Sequence, residues 1–206
     1  MGSILLDVTM SLDGFITGPN VGVELPLGEG GERLHGWMAT PNQGGDWHQT
    51  AASEVDARVK QELFAKTGAV VMGRRSFDVG IGPWGDTPYP LPCFVVTHQA
   101  REDLVRQSGT FTFVTEGIQG ALQRARAAAG ERDVCLMGAE IAQQCLSAGL
   151  LDELHIHLAP VLIGDGRRLF DHLGTGPIEL ERTSVIQSPY VTHLRFRVVK
   201  EKGKRP

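Results

Sequence analysis

Ala69-Val-Val-Met-Gly-Arg-Arg-Ser-Phe77 is the stretch that decides how this 206-residue chain folds. Its apolar run suits a strand buried on both faces, and the glycine followed by Arg74, Arg75 and Ser76 suits a helix opening at that strand's end. At such a junction Gly73 lets backbone come close to a ligand. The first helical turn offers unpaired N–H donors and a positive dipole end, and the two arginines add charge for a phosphate. A turn with solvated charges would read the same way, so one junction alone is not decisive.

Working outward, a second junction lies at Cys93-Phe-Val-Val-Thr-His-Gln99, an apolar strand that ends in Thr97, His98 and Gln99, with Arg101 just beyond. Ligands of open α/β sheets bind at the carboxyl ends of strands, which would set these polar groups beside the Arg74 helix start. Val134-Cys-Leu-Met-Gly-Ala-Glu-Ile-Ala142 repeats the strand, glycine, helix order. The adjacent arginines favour a ligand with one extra phosphate, NADP over NAD.

The rest of the chain fits around these junctions. Ser3–Met10 reads as a first strand, and Ser11-Leu-Asp-Gly-Phe-Ile-Thr-Gly18 as a sharp exit. Residues 19–48 hold seven glycines, three prolines and two tryptophans without periodicity, the composition of a long functional loop, a flexible insertion or a dimer arm. Thr50–Lys66 has helical spacing, Thr110–Thr115 reads as a strand and Gly117–Ala129 as an alanine-rich helix. Strands alternating with helices predict a mainly parallel sheet. Leu154–Ile163 then reads as one long strand, with Ile178–Ile186 and Tyr190–Val199 as an antiparallel hairpin. The whole is expected to be one domain over residues 1–200 with a basic tail at 201–206.

A net charge of −4 gives no basic field for nucleic acid. No apolar run reaches a membrane span and no signal-peptide pattern opens the chain, so a cytoplasmic protein is expected. Cys93, Cys135 and Cys145 are an odd set in apolar patterns and read as reduced core thiols. Gly80-Ile-Gly-Pro-Trp-Gly85 matches the dinucleotide fingerprint by letter but follows no strand, and reads as a glycine-proline loop plugged by Trp84. His155 and His157 share one strand face; without a third ligand a polar sheet face is the expected reading over a metal pair.

The three strand ends, the opening Met10-Ser-Leu-Asp-Gly-Phe-Ile16 and the antiparallel finish resemble the dihydrofolate reductase superfamily. The similarity is to the branch of the reductase (C-terminal) domain of bifunctional riboflavin-biosynthesis deaminase-reductases, and it spans nearly the whole chain. The resemblance implies a dihydrofolate-reductase-like three-layer α/β/α sandwich and an NADPH cofactor. It implies pyrophosphate and 2′-phosphate contacts from Gly73, Arg74, Arg75 and Ser76, and adenosine 2′-phosphate contacts from Thr97, His98 and Gln99. The family's Gly-Gly pair, often joined by a cis peptide, falls on Met137 and Gly138, with Ala139, Glu140 and Ile141 completing that helix start. No motif places the acidic residue that dihydrofolate reductases carry on their first long helix; Glu54 and Asp56 are the carboxylates there.

The reading that follows is an NADPH-dependent reductase of a C=N or C=O group on a small pteridine- or pyrimidine-like substrate. The alternative is a nucleotide-binding sensor of the same fold without turnover. Asp13 is the candidate proton donor, or else an Asx-turn residue; Phe15 and Trp84 are candidate substrate walls, with Trp37 and Trp47 of the loop. Metal is not expected, and a homodimer joined through C-terminal sheets is implied by the resemblance.

Overall fold

The computed structural model describes residues 2–38, 51–86, 89–171, 173–174 and 176–200. Among these residues eleven strands and four α-helices follow in order: β1 (Ile4–Ser11), β2 (Phe15–Thr17), α1 (Glu54–Lys66), β3 (Thr67–Gly73), α2 (Arg74–Trp84), β4 (Cys93–Val96), β5 (Leu104–Val105) and β6 (Thr110–Val114). Then come α3 (Gly117–Ala129), β7 (Asp133–Met137), α4 (Ala139–Ser147), β8 (Glu153–Ala159), β9 (Arg167–Arg168), β10 (Leu180–Gln187) and β11 (Thr192–Val198). A short 3₁₀ helix, Gly31–His35, lies between β2 and α1.

Nine strands form one sheet in the order β10-β11-β8-β1-β7-β3-β4-β6-β5. Strands β8, β1, β7, β3, β4 and β6 run parallel, while β11 is antiparallel to β8 and β10. Helices α3 and α4 cover one face, where Leu6, Val71, Leu136, Leu122 and Ile141 form the larger core. On the other, Phe77 of α2 and Phe64 of α1 pack over Val70, Met72 and Val95. The mainly parallel sheet with its antiparallel C-terminal hairpin is therefore as the residues predict. Cys93 and Cys145 are free and buried, and burial pushes both thiols up to about 12.

Three expectations change. The long strand stops at Ala159, because Pro160 has no N–H to donate to a ladder. The Gly80–Gly85 segment is not a loop: it forms the last turns of α2, with Gly80 needed because the Trp84 ring lies where a Cβ would sit, 2.3 Å away. The helix expected from Thr50 starts at Glu54, where Ser53 Oγ accepts the Asp56 amide as an N-cap. Thr50 itself, residues 39–48 of the expected loop with Trp47, and the 201–206 tail lie outside the described residues.

Candidate functional site

Strand β3 ends in Gly73 and α2 begins at the next residue; β7 ends in Met137 and α4 begins one residue later, after Gly138. Strand β3 lies between β7 and β4, so these two helix starts and the Thr97-His98-Gln99 segment share one sheet edge. Neither helix has a side-chain cap, which leaves the first-turn N–H groups of both directed out of that edge. Gly138 adopts φ +97°, open to glycine at little cost, and a Cβ there would stand 2.6 Å from Ser76 Oγ. The two junctions thus interlock, backbone against hydroxyl, with no cis peptide among the described residues.

The cations around this edge are not equivalent. Arg74 Nε lies 2.7 and 2.8 Å from the two oxygens of Asp78, one turn on, which commits its guanidinium to the helix surface. Arg75 is exposed and has no ion pair among the described residues. Arg101, to which the sequence assigns no role of its own, holds its guanidinium 4.6 Å from the Phe113 ring centroid and 5.7 Å from that of Phe77. Thr97 is buried and its hydroxyl accepts the Gln99 amide at 3.2 Å, shaping the turn that leaves His98 and Gln99 exposed. Ala139 and Ile141 are buried beneath α4, and exposed Glu140 pairs with Arg167 of β9.

Next to β7 at the same edge, β1 leads into the Asp13 loop. Asp13 accepts hydrogen bonds from Ser11 Oγ at 2.5 Å, Gly164 N at 2.7 Å and Ile163 N at 3.1 Å. The Ser11 bond is the largest influence, and with the two amides it outweighs burial to hold the carboxyl down at about 2. An ionised acceptor clamping two loops suits neither a proton donor nor an Asx turn onto Gly14 and Phe15. The turn is made by Ser11 instead, whose hydroxyl accepts the Phe15 amide.

Two aromatic walls stand elsewhere than expected. Trp84 closes α2, about 15 Å from Arg74 at 1.5 Å per residue, where it stacks on Phe111 and meets Tyr89 edge-on at the opposite sheet edge. A ligand at the Gly73 edge cannot meet it. Trp37 is 3% exposed rather than part of an open lid; its indole N–H donates to Thr9 Oγ1 at 3.0 Å and its ring lies 4.4 Å from that of His157. Phe15 does belong to the right edge, but it is buried, with Arg168 4.4 Å above its ring.

Beneath α1 the same sheet face carries a polar row that single-sequence reasoning only touched. Asp7, His157, His193 and Asp56 connect in series, and of the two carboxylates at the start of α1 it is Asp56, 0% exposed, that faces inward; Glu54 is exposed. The His155-x-His157 alternation was the visible signal; the partners come from distant strands. No group of three or more residues suited to a metal occurs among the described residues.

Burial lowers the His193 pKa, the neighbouring His157 lowers it further, and Asp56 pulls the other way; burial also lowers His35. In the unfolded chain both titrate near the ordinary value of about 6.5. Below that value the unfolded chain therefore binds more protons than the folded one, so stability should fall as pH drops through this window. Calorimetry should give a melting temperature several degrees lower at about pH 5 than at about pH 7.5, and an unchanged one would contradict this burial.

Residues 3–194 match the RibD C-terminal domain family. The chain belongs to that family. Solved structures of similar fold include a protein of Shewanella sp. PV-4 described for riboflavin biosynthesis, with TM-score 0.68 and 21% identity over 96% of this chain and 99% of that one. A pyrimidine reductase-like protein of Corynebacterium diphtheriae gives TM-score 0.60 and 14% identity over 97% and 93%. The Thermotoga maritima diaminohydroxyphosphoribosylaminopyrimidine deaminase/5-amino-6-(5-phosphoribosylamino)uracil reductase gives 0.63 and 10%, over 96% of this chain and 57% of that protein. Among curated proteins none matches. As a RibD C-terminal domain, the chain has the fold of these reductases, and no described helix is long and apolar enough to cross a membrane.

Proposed function

We propose that this RibD C-terminal domain is an NADPH-dependent reductase acting on a C=N or C=O group of a small pyrimidine- or pteridine-like molecule. The observation that carries the reading is the pair of helix starts without side-chain caps, α2 and α4, interlocked through Gly138 and Ser76 beside Arg75 and Arg101, neither of which has an ion pair among the described residues. A bound reduced nicotinamide would supply the hydride. The chain's own task is to hold it: first-turn amides of both helices for the pyrophosphate, and Arg75, Arg101, Thr97 and His98 for the 2′-phosphate. The names of the Thermotoga and Corynebacterium relatives supply the pyrimidine substrate class.

Arg101→Ala and Arg75→Ala should each weaken NADPH binding about tenfold, the worth of one charge-assisted contact, and leave NADH binding unchanged. Arg74→Ala should do less, since Asp78 already occupies that guanidinium. Fluorescence titration with both nucleotides decides it; equal losses for NADPH and NADH would remove the 2′-phosphate assignment. Oxidation of NADPH with 5-amino-6-(5-phosphoribosylamino)uracil tests turnover. The ionised state of Asp13 favours one second reading, a sensor that binds NADPH without consuming it, and binding without oxidation across a pyrimidine panel would support that.

Pairing of two copies through β10 belongs to the same proposal. Among the described residues this strand has a partner on one side only, and it exposes Leu180 and Val185. Light scattering should report twice the chain mass.

A further inference from the structure

Three hydrogen bonds run in series beneath α1. Asp7 Oδ1 lies 3.0 Å from His157 Nε2, His157 Nδ1 lies 2.7 Å from His193 Nδ1, and His193 Nε2 lies 2.9 Å from Asp56 Oδ1. Each bond needs one proton, three in all. Two neutral imidazoles flanked by two carboxylates hold only two, one on each Nε2, and that would leave two Nδ1 lone pairs facing each other at 2.7 Å. One further proton must therefore sit in the row.

We propose that His157 and His193 share one excess proton between Asp7 and Asp56, and that this buried store supplies the proton when the substrate is reduced. The inference rests on the reductase reading above. The row stands in the right place: Leu6 pairs with Leu136 and Thr9 with His157, so the histidines lie one residue past the level of Gly138. His157 is two strands from β7, about 10 Å at ordinary strand spacing. The Asp13 loop offers no proton of its own. His35 feels the charge of His157, which puts a third imidazole beside the row.

The surroundings keep one proton and exclude a second. Asp7 stays ionised: burial would raise its pKa, but the charge and hydrogen bond of His157 and the neighbouring His155, 3.7 Å away, lower it. Two imidazolium rings bonded nitrogen to nitrogen would repel, in line with the lowering of His193 by His157. On β8, His155 lies 3.2 Å from Glu153; on β11, Arg195 is paired with Glu62 of α1. Lys60, also on α1, is buried and contacts the Met38 carbonyl, and the Trp37 ring covers both histidines. As hydride adds to the carbon of a C=N bond, its π pair passes to nitrogen and takes the stored proton. A bound nicotinamide that supplied the hydride would be left oxidised, and the row refills from water.

Ring-nitrogen NMR of the full, ¹⁵N-labelled chain between about pH 6 and 9, without ligand, counts the proton directly. One imidazolium shared by His157 and His193 at neutral pH is the expected result, absent in His193→Gln and retained in Asp13→Asn. Two neutral, Nε2-protonated rings in the wild type would overturn the proposal whatever the activity. With NADPH and 5-amino-6-(5-phosphoribosylamino)uracil, the wild-type rate should fall as the pair deprotonates, and His157→Gln should be roughly 100-fold slower with that pH dependence gone. An unchanged pH profile would overturn the delivery step. NADPH bound but never oxidised would overturn the reductase reading and the delivery step together, and the ring spectra separate that failure from a wrong proton count.

Discussion

Asp56→Ala is expected to destabilise the protein by about 3–5 kcal/mol, the cost of breaking a buried charged pair by removing one partner. The carboxylate is 0% exposed, lies 2.9 Å from His193 Nε2 and takes the Ser53 hydroxyl at 2.6 Å. Its loss leaves the His193 N–H buried without an acceptor, breaks the series of bonds to Asp7 and loosens the first turn of α1. For a chain of this size each kcal/mol moves the melting temperature by roughly 2–4 °C, so a fall of roughly 6–20 °C is expected. Asp56→Asn keeps the shape and one acceptor and should cost about 1–2 kcal/mol. Asp78→Ala removes a half-exposed helix partner of Arg74 and should cost less than about 1 kcal/mol. If thermal melts placed Asp56→Ala beside Asp78→Ala, the buried row would not be a structural element of the sheet.

Gly138→Val should abolish measurable NADPH binding while the chain still folds. Two separate effects act at that position. With φ +97° and ψ 146° the backbone lies near a region that side chains essentially avoid, a strain of about 1–3 kcal/mol. A Cβ would also stand 2.6 Å from Ser76 Oγ, forcing that hydroxyl to turn and filling the space between the two helix starts. Gly138→Ala should weaken NADPH at least about tenfold, the equivalent of 1.4 kcal/mol. Adding Ser76→Gly relieves the contact but not the dihedral, so partial recovery in the double variant apportions the two effects. Full affinity in Gly138→Val, read by fluorescence titration, would remove this edge as the cofactor cradle.

The junctions were legible because each is local. A strand, a glycine and a helix start occupy fewer than ten consecutive residues, as in Val71–Phe77 and Leu136–Ala142, and the backbone chemistry at the glycine follows from its missing side chain. The same short range hid the state of each charge. Arg74 and Arg75 are adjacent and chemically alike, yet only the rotation of α2 puts Arg74 over Asp78 and leaves Arg75 without an ion pair among the described residues. Trp84 is eight residues from Ser76, near in sequence but at the far end of a helix, and helix length turned a neighbour into a remote packing residue.

The amino-acid sequence by itself determined the strand order's parallel character, the antiparallel finish and the three glycine-bearing strand ends, since apolar runs and strand-helix alternation act over a few residues. Only the tertiary structure decided which polar groups share a proton. Asp7, Asp56, His157 and His193 come from β1, α1, β8 and β11, with bonded partners up to 150 residues apart, and burial out of water is what turns four ordinary side chains into one hydrogen-bonded row.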